Sequence, residues 1–169
     1  HYYLTTLGAK TREIDVMRID TIWIAEFASA GWLESLEGYI NPEDRESFIP
    51  VMEKTDVFRG HLYAIPWDAN IGLLYYRKDL LEKYNLDTPH TWDELVKACL
   101  KISSGEHVYG YLWQGKQYEG LVCNFVEFIG CNNGGIIDDT GMIIVNSEQN
   151  KIALDFMHDL IWEYRVSPQ

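Results

Sequence analysis

The sequence predicts an α/β fold, on the basis of two observations. Short β-like runs alternate with helical patterns along the whole chain, and the run Ile14–Ile19 leads directly into a helical pattern at Asp20–Ala30. A strand that continues straight into a helix is typical of α/β proteins. Ligands of such folds bind at the carboxyl ends of strands, and Asp20 lies at a junction of this kind.

The first half of the chain contains further signals for helix ends and turns. Gly31 follows the first helical pattern and is predicted to end that helix in the left-handed conformation. Asn41 followed by Pro42 predicts the start of a second helix, with Asn as N-cap and Pro at the first helical position. Residues 55–66 are predicted to form a β-hairpin that turns at Arg59-Gly60.

The second half continues the alternation of helical and strand patterns. The predicted elements, in chain order, are a helix at Lys78–Tyr84, a helix opened by the capping box Thr91-x-x-Glu94 and ended by Gly105, a strand at Tyr109–Trp113, a helix from Gln117 to about Cys131, a break at Asn133-Gly134-Gly135, a hairpin at Ile136–Val145 that turns near Asp139-Thr140-Gly141, and a last helix capped by Asn146 or Ser147 that runs to Arg165.

Composition excludes several classes of function. The net charge is −12, which repels phosphate backbones and anionic lipids, so we expect neither nucleic-acid nor membrane-surface binding. No apolar stretch approaches the roughly 18 residues that cross a bilayer. The three cysteines form no CxxC or Cys/His cluster, so we expect no zinc site. Aromatic residues reach 14%, and the flat faces of Trp and Tyr suit hydroxylated ligands as well as a core.

The segment Ile65–Tyr76 contains the most informative polar residues. In an extended conformation Asp68, Asn70 and Gly72 point to one side, whereas Trp67, Ala69, Ile71 and Leu73 point to the other and are predicted to face the core. A carboxylate and an amide together accept and donate hydrogen bonds, as paired sugar hydroxyls require. The spacing alone leaves two interpretations open, a ligand-binding pair or a half-exposed strand with two polar residues in water.

Several motifs in order resemble the family 1 extracellular solute-binding proteins of ABC importers. The resemblance lies in Asp15-Val16 through Asp20, Trp23 and Phe27, in Gly31–Leu36, in Gly60–Pro66, in the Asp68/Asn70 pair with Gly72–Leu81, in Pro89–Leu95, in Asn133-Gly134-Gly135 and in the final helix. The segment Trp113–Leu121 is similar to the trehalose/maltose-binding branch in particular. The resemblance covers essentially the whole chain.

The resemblance implies a two-lobed periplasmic-binding-protein fold, like that of maltose-binding protein, with the ligand in the interlobe cleft. On this basis residues 1–68 belong to the first lobe, residues 69–74 form an interlobe crossover, and residues 75–169 belong to the second lobe. We expect the chain to be an incomplete central fragment of such a protein. We also expect an export signal outside these residues and an extracytoplasmic location, either periplasmic or as a membrane-anchored lipoprotein at the cell surface.

The resemblance also assigns candidate sugar contacts. These are Asp20, Asp68, Asn70, Tyr118 and Glu119, with Trp23 and Trp113 as weaker candidates. Close relatives tend to have Tyr and Asp where this chain has Asp68 and Asn70, so the resemblance does not fix which sugar is bound. Carboxylates would bind hydroxyls through charge-assisted hydrogen bonds, and Tyr118 would supply an apolar platform.

The predicted function is therefore capture of a small oligosaccharide such as trehalose or maltose for an ABC permease, without catalysis, cofactor or metal. One alternative is a glycoside hydrolase that uses the carboxylates of Asp68 and Glu119, because such enzymes also combine paired carboxylates with aromatic rings. A second alternative is a purely structural or interaction role for an acidic surface.

Overall fold

The computed structural model describes residues 2–11 and 13–169, which fall into two compact units that divide between Ile71 and Gly72. The lobe boundaries at residues 69–74 stay a prediction. The elements in chain order are α1 (Tyr2–Gly8), α2 (Thr21–Ser29), α3 (Pro42–Glu46), α4 (Pro50–Asp56), β1 (Val57–Phe58), β2 (His61–Leu62), α5 (Lys78–Lys83), α6 (Trp92–Glu106), α7 (Glu119–Cys131) and α8 (Glu148–Trp162).

In the first unit, α2 ends as the sequence predicts. Gly31 adopts a φ of 69°, which is strained for residues with a side chain. Its N–H donates to the carbonyl of Ala28, and the N–H of Trp32 donates to the carbonyl of Phe27. These two bonds form a Schellman motif, and the Phe27 and Trp32 rings pack edge to face at 5.2 Å, supplying its usual apolar contact.

The predicted hairpin of the first unit is present but shorter than expected. β1 and β2 pair antiparallel, with Val57 opposite Leu62, and the turn lies at Arg59-Gly60, both at positive φ. The predicted start at residue 55 is wrong, because residues 55 and 56 belong to α4. α2 packs against α4 and β1, and Leu62 is completely buried.

An acidic and basic network holds the hairpin of the first unit in place. The carboxylate of Glu37 accepts from the backbone N–H of Leu62 at 2.9 Å and from Arg45 at 3.0 Å. Arg45 also donates to Glu53 on α4 at 2.6 Å. The Leu62 N–H is the main reason why the pKa of Glu37 is lowered. The network therefore joins α3, α4 and β2.

The core of the second unit is built around stacked aromatic rings. Trp92 stacks on Phe128 with ring centroids 4.7 Å apart, and Trp113 and Phe156 pack around Phe128 at 6.2 and 6.1 Å. The buried residues of this core are Leu95, Val96, Cys99, Phe128, Ile129, Ala153, Met157, Leu160 and Val166. All of them except Val166, which follows α8, come from α6, α7 and α8, so these three helices share one core.

The boundaries of the second-unit helices follow packing as well as local signals. The predicted end of α6 at Gly105 is wrong, because the helix continues to Glu106 and His107 adopts the left-handed conformation instead. Gly105 has a packing role, since a Cβ there would meet the hydroxyl of Tyr84, which donates to Glu106. α7 begins at Glu119 rather than Gln117, and α8 ends at Trp162 rather than Arg165.

The predicted strands at residues 14–19 and 109–113 are not formed among the described residues. A strand requires a hydrogen-bonded neighbour, and residues 14–19 make no backbone hydrogen bond within the described ranges. In residues 109–113, the N–H of Tyr111 donates to Val166 at 3.0 Å without a continuing ladder. The predicted hairpin at residues 136–145 is reduced to a single bridge, Ile137 to Ile143, closed by a turn in which Gly141 has a φ of 85°.

Candidate functional site

The first unit contains a hollow of about 230 Å³ at the start of α2. Two of the predicted contact residues, Asp20 and Trp23, line this hollow. Its full lining is Tyr3, Leu4, Arg18, Ile19, Asp20, Trp23 and Phe27. The hollow therefore combines aromatic and aliphatic surface with charged groups of both signs.

Asp20 is fixed at the N-terminus of α2 as its N-cap. Its Oδ1 accepts from the backbone N–H of Ile22 at 3.5 Å and from the hydroxyl of Thr21 at 3.4 Å. Both contacts are long and involve one of the two carboxylate oxygens. An ionised carboxylate can accept about four hydrogen bonds, so Asp20 retains acceptor capacity towards a ligand while capping the helix.

Trp23 presents a partly exposed indole to the hollow. Its ring packs edge to face on Phe27 at 6.0 Å, and Phe27 is 3% exposed whereas Trp23 is 38% exposed. Phe27 thus belongs to the core of the unit and supports Trp23 from below. The indole is a ready apolar platform for the face of a sugar ring.

Asp68 is joined to the residues of this hollow by an ion pair that the sequence did not reveal. Arg18 lines the hollow, and its guanidinium donates to Oδ2 of Asp68 at 2.7 Å. Both side chains are largely exposed. The two residues are 50 positions apart, so no local pattern could have identified Arg18 as a partner.

Asn70 is exposed and does not line the hollow of the first unit. The predicted core face of its segment is wrong for this structure, since Trp67, Ile71 and Leu73 are 83%, 73% and 67% exposed. The physical reason is that residues 64–76 make no backbone hydrogen bond to any other described residue. Without a neighbouring strand, the alternation of side chains has no packed layer to face.

The second unit contains a separate hollow of about 480 Å³ immediately before α7. It is lined by Trp113, Gln114, Gly115, Lys116 and Tyr118. It therefore includes two of the predicted contacts, Trp113 and Tyr118. Gln114 and Lys116 were not predicted as contacts, although both lie within the motif Trp113–Leu121 that carries the resemblance.

The polar groups of this second hollow are held by neighbouring side chains. Tyr118 is the N-cap of α7, and its hydroxyl donates to the side-chain oxygen of Gln114. The backbone N–H of Gln114 donates to Oδ1 of Asn124 on α7 at 2.8 Å. A Cβ at Gly120 would overlap the side chains of Gln114 and Tyr118. The absence of a Cβ at Gly120 therefore leaves room for the Tyr118–Gln114 pair.

The two other predicted contacts of this unit, Trp113 and Glu119, differ in whether they line the hollow. Trp113 is half-buried and packs edge to face on Phe128, so it belongs to both the hollow and the core. Glu119 is the first residue of α7 and is exposed, but it does not line the hollow. A carboxylate at that position interacts favourably with the helix dipole, which accounts for Glu119 without a ligand.

Two further features of the described residues are the grouping of metal-ligating side chains and the length and apolar character of the helices. Residues 2–11 and 13–169 bring together no group of three or more His, Cys, Asp or Glu side chains that could hold an ion. None of the helices in that part of the chain combines the length and the apolar character needed to cross a bilayer.

Comparison with protein families decides the class of the protein. The bacterial extracellular solute-binding protein family matches residues 3–166, nearly the whole chain. The chain belongs to this family. The family resemblance predicted from the motifs is thus confirmed, and it is a family of binding proteins rather than enzymes. The expectation of a non-enzymatic protein agrees with it, and the glycoside hydrolase alternative receives no support.

Two curated relatives illustrate the family. A "Probable ABC transporter-binding protein" of Deinococcus radiodurans is 37% identical in an alignment 166 positions long that covers 94% of this chain and 39% of the relative. The "Maltotriose-binding protein" of Pyrococcus abyssi is 28% identical over 145 residues, covering 84% of this chain and 30% of the relative.

The fold is confirmed by a solved structure. Maltose-bound MalE3 of T. maritima superimposes with a TM-score of 0.89 at 42% identity, over 99% of this chain and 42% of that protein. The solute-binding protein described here therefore has the α/β, maltose-binding-protein-like fold that the resemblance implied. It spans between 30% and 42% of the length of these three relatives.

Proposed function

We propose that this solute-binding protein is the extracellular sugar-binding component of an ABC importer. The observation that carries the proposal is the likeness to maltose-bound MalE3 over 99% of the chain at 42% identity. The two hollows support it independently. Each combines aromatic surface with polar groups, as the binding of a hydroxylated ring requires.

The ligand that we propose is a small oligosaccharide such as maltose or trehalose, held in the interlobe cleft that the family resemblance implies. The relatives named as maltose- and maltotriose-binding support the glucan class. In the first unit Asp20 and Asp68 would accept from sugar hydroxyls, and Trp23 would pack on a ring face. In the second unit Tyr118 and Trp113 would supply the aromatic contact. Asn70 and Glu119 stay proposed contacts on the resemblance alone.

The partners and the location follow from the same proposal. A binding protein of an ABC importer delivers its sugar to the transmembrane permease subunits outside the cytoplasmic membrane. Sugar binding would favour the form of the protein that makes the better ligand contacts. The net charge of −12 leaves a neutral sugar unopposed while repelling nucleic acid and anionic lipid.

A thermal-shift and calorimetry panel tests the proposal. The full-length protein would be titrated with maltose, maltotriose, trehalose and glucose. A sugar at about 100 times its Kd stabilises the native state by about 2.7 kcal/mol, so the melting temperature should rise with at least one of them. Incubation of the same sugars followed by an assay for released glucose should show no turnover. Absence of any shift and any binding heat across the panel contradicts the proposal.

Individual contacts are tested by a matched pair of tyrosines. Tyr118→Ala should weaken sugar binding, because its ring lines the second hollow. Tyr109→Ala is the control, since Tyr109 is 57% exposed against 52% for Tyr118 and lies outside that hollow. Equal losses of affinity for the two variants would remove Tyr118 from the site.

A further inference from the structure

Among residues 2–11 and 13–169, Arg18 is the one cation that lines the hollow of the first unit. Its guanidinium makes a single hydrogen bond among the described residues, to Oδ2 of Asp68 at 2.7 Å. A guanidinium carries five N–H donors, and the Arg18 side chain is 70% exposed. Most of its donor capacity is therefore open to solvent at the hollow that already contains Asp20 and Trp23.

Stability does not explain this ion pair. Exposed pairs between single charged side chains contribute about 0–1 kcal/mol, and both partners here are more than half exposed, at 70% and 53%. Arg45 is the contrasting arginine of the same unit. It is 34% exposed, is bonded to both Glu37 and Glu53, and lines no hollow described above.

The pair also fixes an otherwise unsupported carboxylate. Residues 64–76 form no backbone hydrogen bond with other described residues, so Arg18 is the contact that holds the Asp68 side chain. The same guanidinium belongs to the hollow. Arg18 thus joins Asp68 to the hollow that Asp20 and Trp23 also line.

On this geometry, and resting on the proposed sugar-binding function, we propose that Arg18 is a specificity-determining residue of the site. It positions the Asp68 carboxylate through the ion pair and donates to ligand oxygens with its remaining N–H groups. One guanidinium beside two carboxylates leaves the cluster net anionic. The ligand class is therefore a neutral sugar that accepts from Arg18 and donates to Asp68, and an acidic sugar is disfavoured.

A double-mutant cycle in the full-length protein tests this role. Calorimetry with maltose, or with the tightest-binding sugar of the panel, would compare wild type with Arg18→Ala, Asp68→Ala and the double variant. Loss of a charge-assisted hydrogen bond corresponds to an increase in Kd of about tenfold or more. Because Arg18 acts partly through Asp68, the losses should be less than additive. Arg18→Lys keeps the charge and should restore part of the affinity.

A matched control separates this effect from the loss of any surface charge. Arg77→Gln removes an arginine whose pair with Asp79 is similarly exposed, at 71% and 63%, and which lines neither hollow. It should leave Kd unchanged. Unchanged melting temperatures without sugar would show that Arg18→Ala is folded. Glucuronate should bind more weakly than glucose.

Four results would overturn the proposal. They are an Arg18→Ala variant within about twofold of wild type for a sugar that wild type binds, fully additive losses, no rescue by Arg18→Lys, or tighter binding of glucuronate than of glucose. These leave the sugar-binding function intact. If wild type binds no sugar in the panel, the proposed function itself fails and Arg18 loses its role with it.

Discussion

Asn150 fastens the connection between α7 and α8, and its replacement gives the sharpest test of the second unit. The side chain is 3% exposed. Its Oδ1 accepts from the N–H of Gly135 at 3.0 Å, and its Nδ2 donates to the carbonyls of Gly135 and Val145 at 2.7 and 2.9 Å. A longer contact of 3.4 Å reaches the carbonyl of Ile144.

The expected cost of Asn150→Ala follows from these contacts. Three well-formed hydrogen bonds are lost, each worth about 1 kcal/mol. Gly135 is half-buried and Val145 is exposed, so water replaces part of the loss. We expect a decrease of about 2–3 kcal/mol in the free energy of unfolding of this unit, or roughly 4–12 °C in melting temperature.

Urea and thermal unfolding of the full-length protein measure this change. Asn146→Ala is the matched control, because Asn146 lies in the same connection, is exposed, and makes no side-chain hydrogen bond to another described residue. Gly134→Ala should also destabilise, since a Cβ there would overlap the Asn150 side-chain oxygen. An Asn150→Ala variant within about 0.5 kcal/mol of wild type, the range of ordinary surface substitutions, would refute the reasoning.

Three further predictions concern buried groups. Burial raises the pKa of Asp56, whose Oδ2 has no hydrogen-bond partner among the described residues. The carboxyl group of Asp56 therefore binds its proton more tightly in the folded state than in the unfolded state. The resulting contribution to the free energy of unfolding is fully present below pH 3.8, the ordinary pKa, and is lost as the pH rises through the raised pKa. Asp56→Asn should therefore stabilise the protein at neutral pH but not below pH 3.8. Urea unfolding at the two pH values measures this, and an equal increase in the free energy of unfolding at both pH values would contradict it. Burial likewise raises the pKa of the Cys99 thiol to about 11. Iodoacetamide at pH 8 should therefore modify the exposed Cys123 and Cys131 before Cys99. Equal modification of all three cysteines in peptide mass spectrometry would be incompatible with the burial of Cys99. Phe128→Ala should cost about 3–5 kcal/mol in chemical unfolding because it removes the centre of the aromatic core, and a loss below 1 kcal/mol would show that the core repacks.

Some helix starts were predicted correctly because their chemistry is local. Asp20, Thr91 and Ser147 each accept from a backbone N–H two or three residues later. Such contacts need only the cap residue and the first turn. The capping box at Thr91 is only half realised, since the Glu94 carboxylate accepts from the N–H of His90 instead of that of Thr91.

Helix ends and strands were predicted less well because distant residues decide them. Gly105 resembled a stop signal, yet it is a glycine because Tyr84 occupies the space of its Cβ. Residues 14–19 have the composition of a strand but no ladder partner among the described residues. Propensity describes a segment that suits a pleated sheet, whereas the sheet itself requires a neighbour.

The candidate site shows the same difference between features that local sequence predicts and features that distant residues decide. Residue type and motif predicted Asp20, Trp23, Trp113 and Tyr118 as sugar contacts, and these residues line the two hollows. The sequence did not identify Arg18, because its partner Asp68 lies 50 positions away.

By itself, then, the sequence determined the family, the α/β class, several helix caps and most of the aromatic and acidic groups proposed to bind sugar. These depend on residue type and on contacts within one or two turns. Only the tertiary structure decided that the Asp68 carboxylate pairs with Arg18 from 50 residues away and that Trp113 packs on Phe128. Ion pairs and ring packing between residues far apart in sequence form only when folding brings those residues into contact.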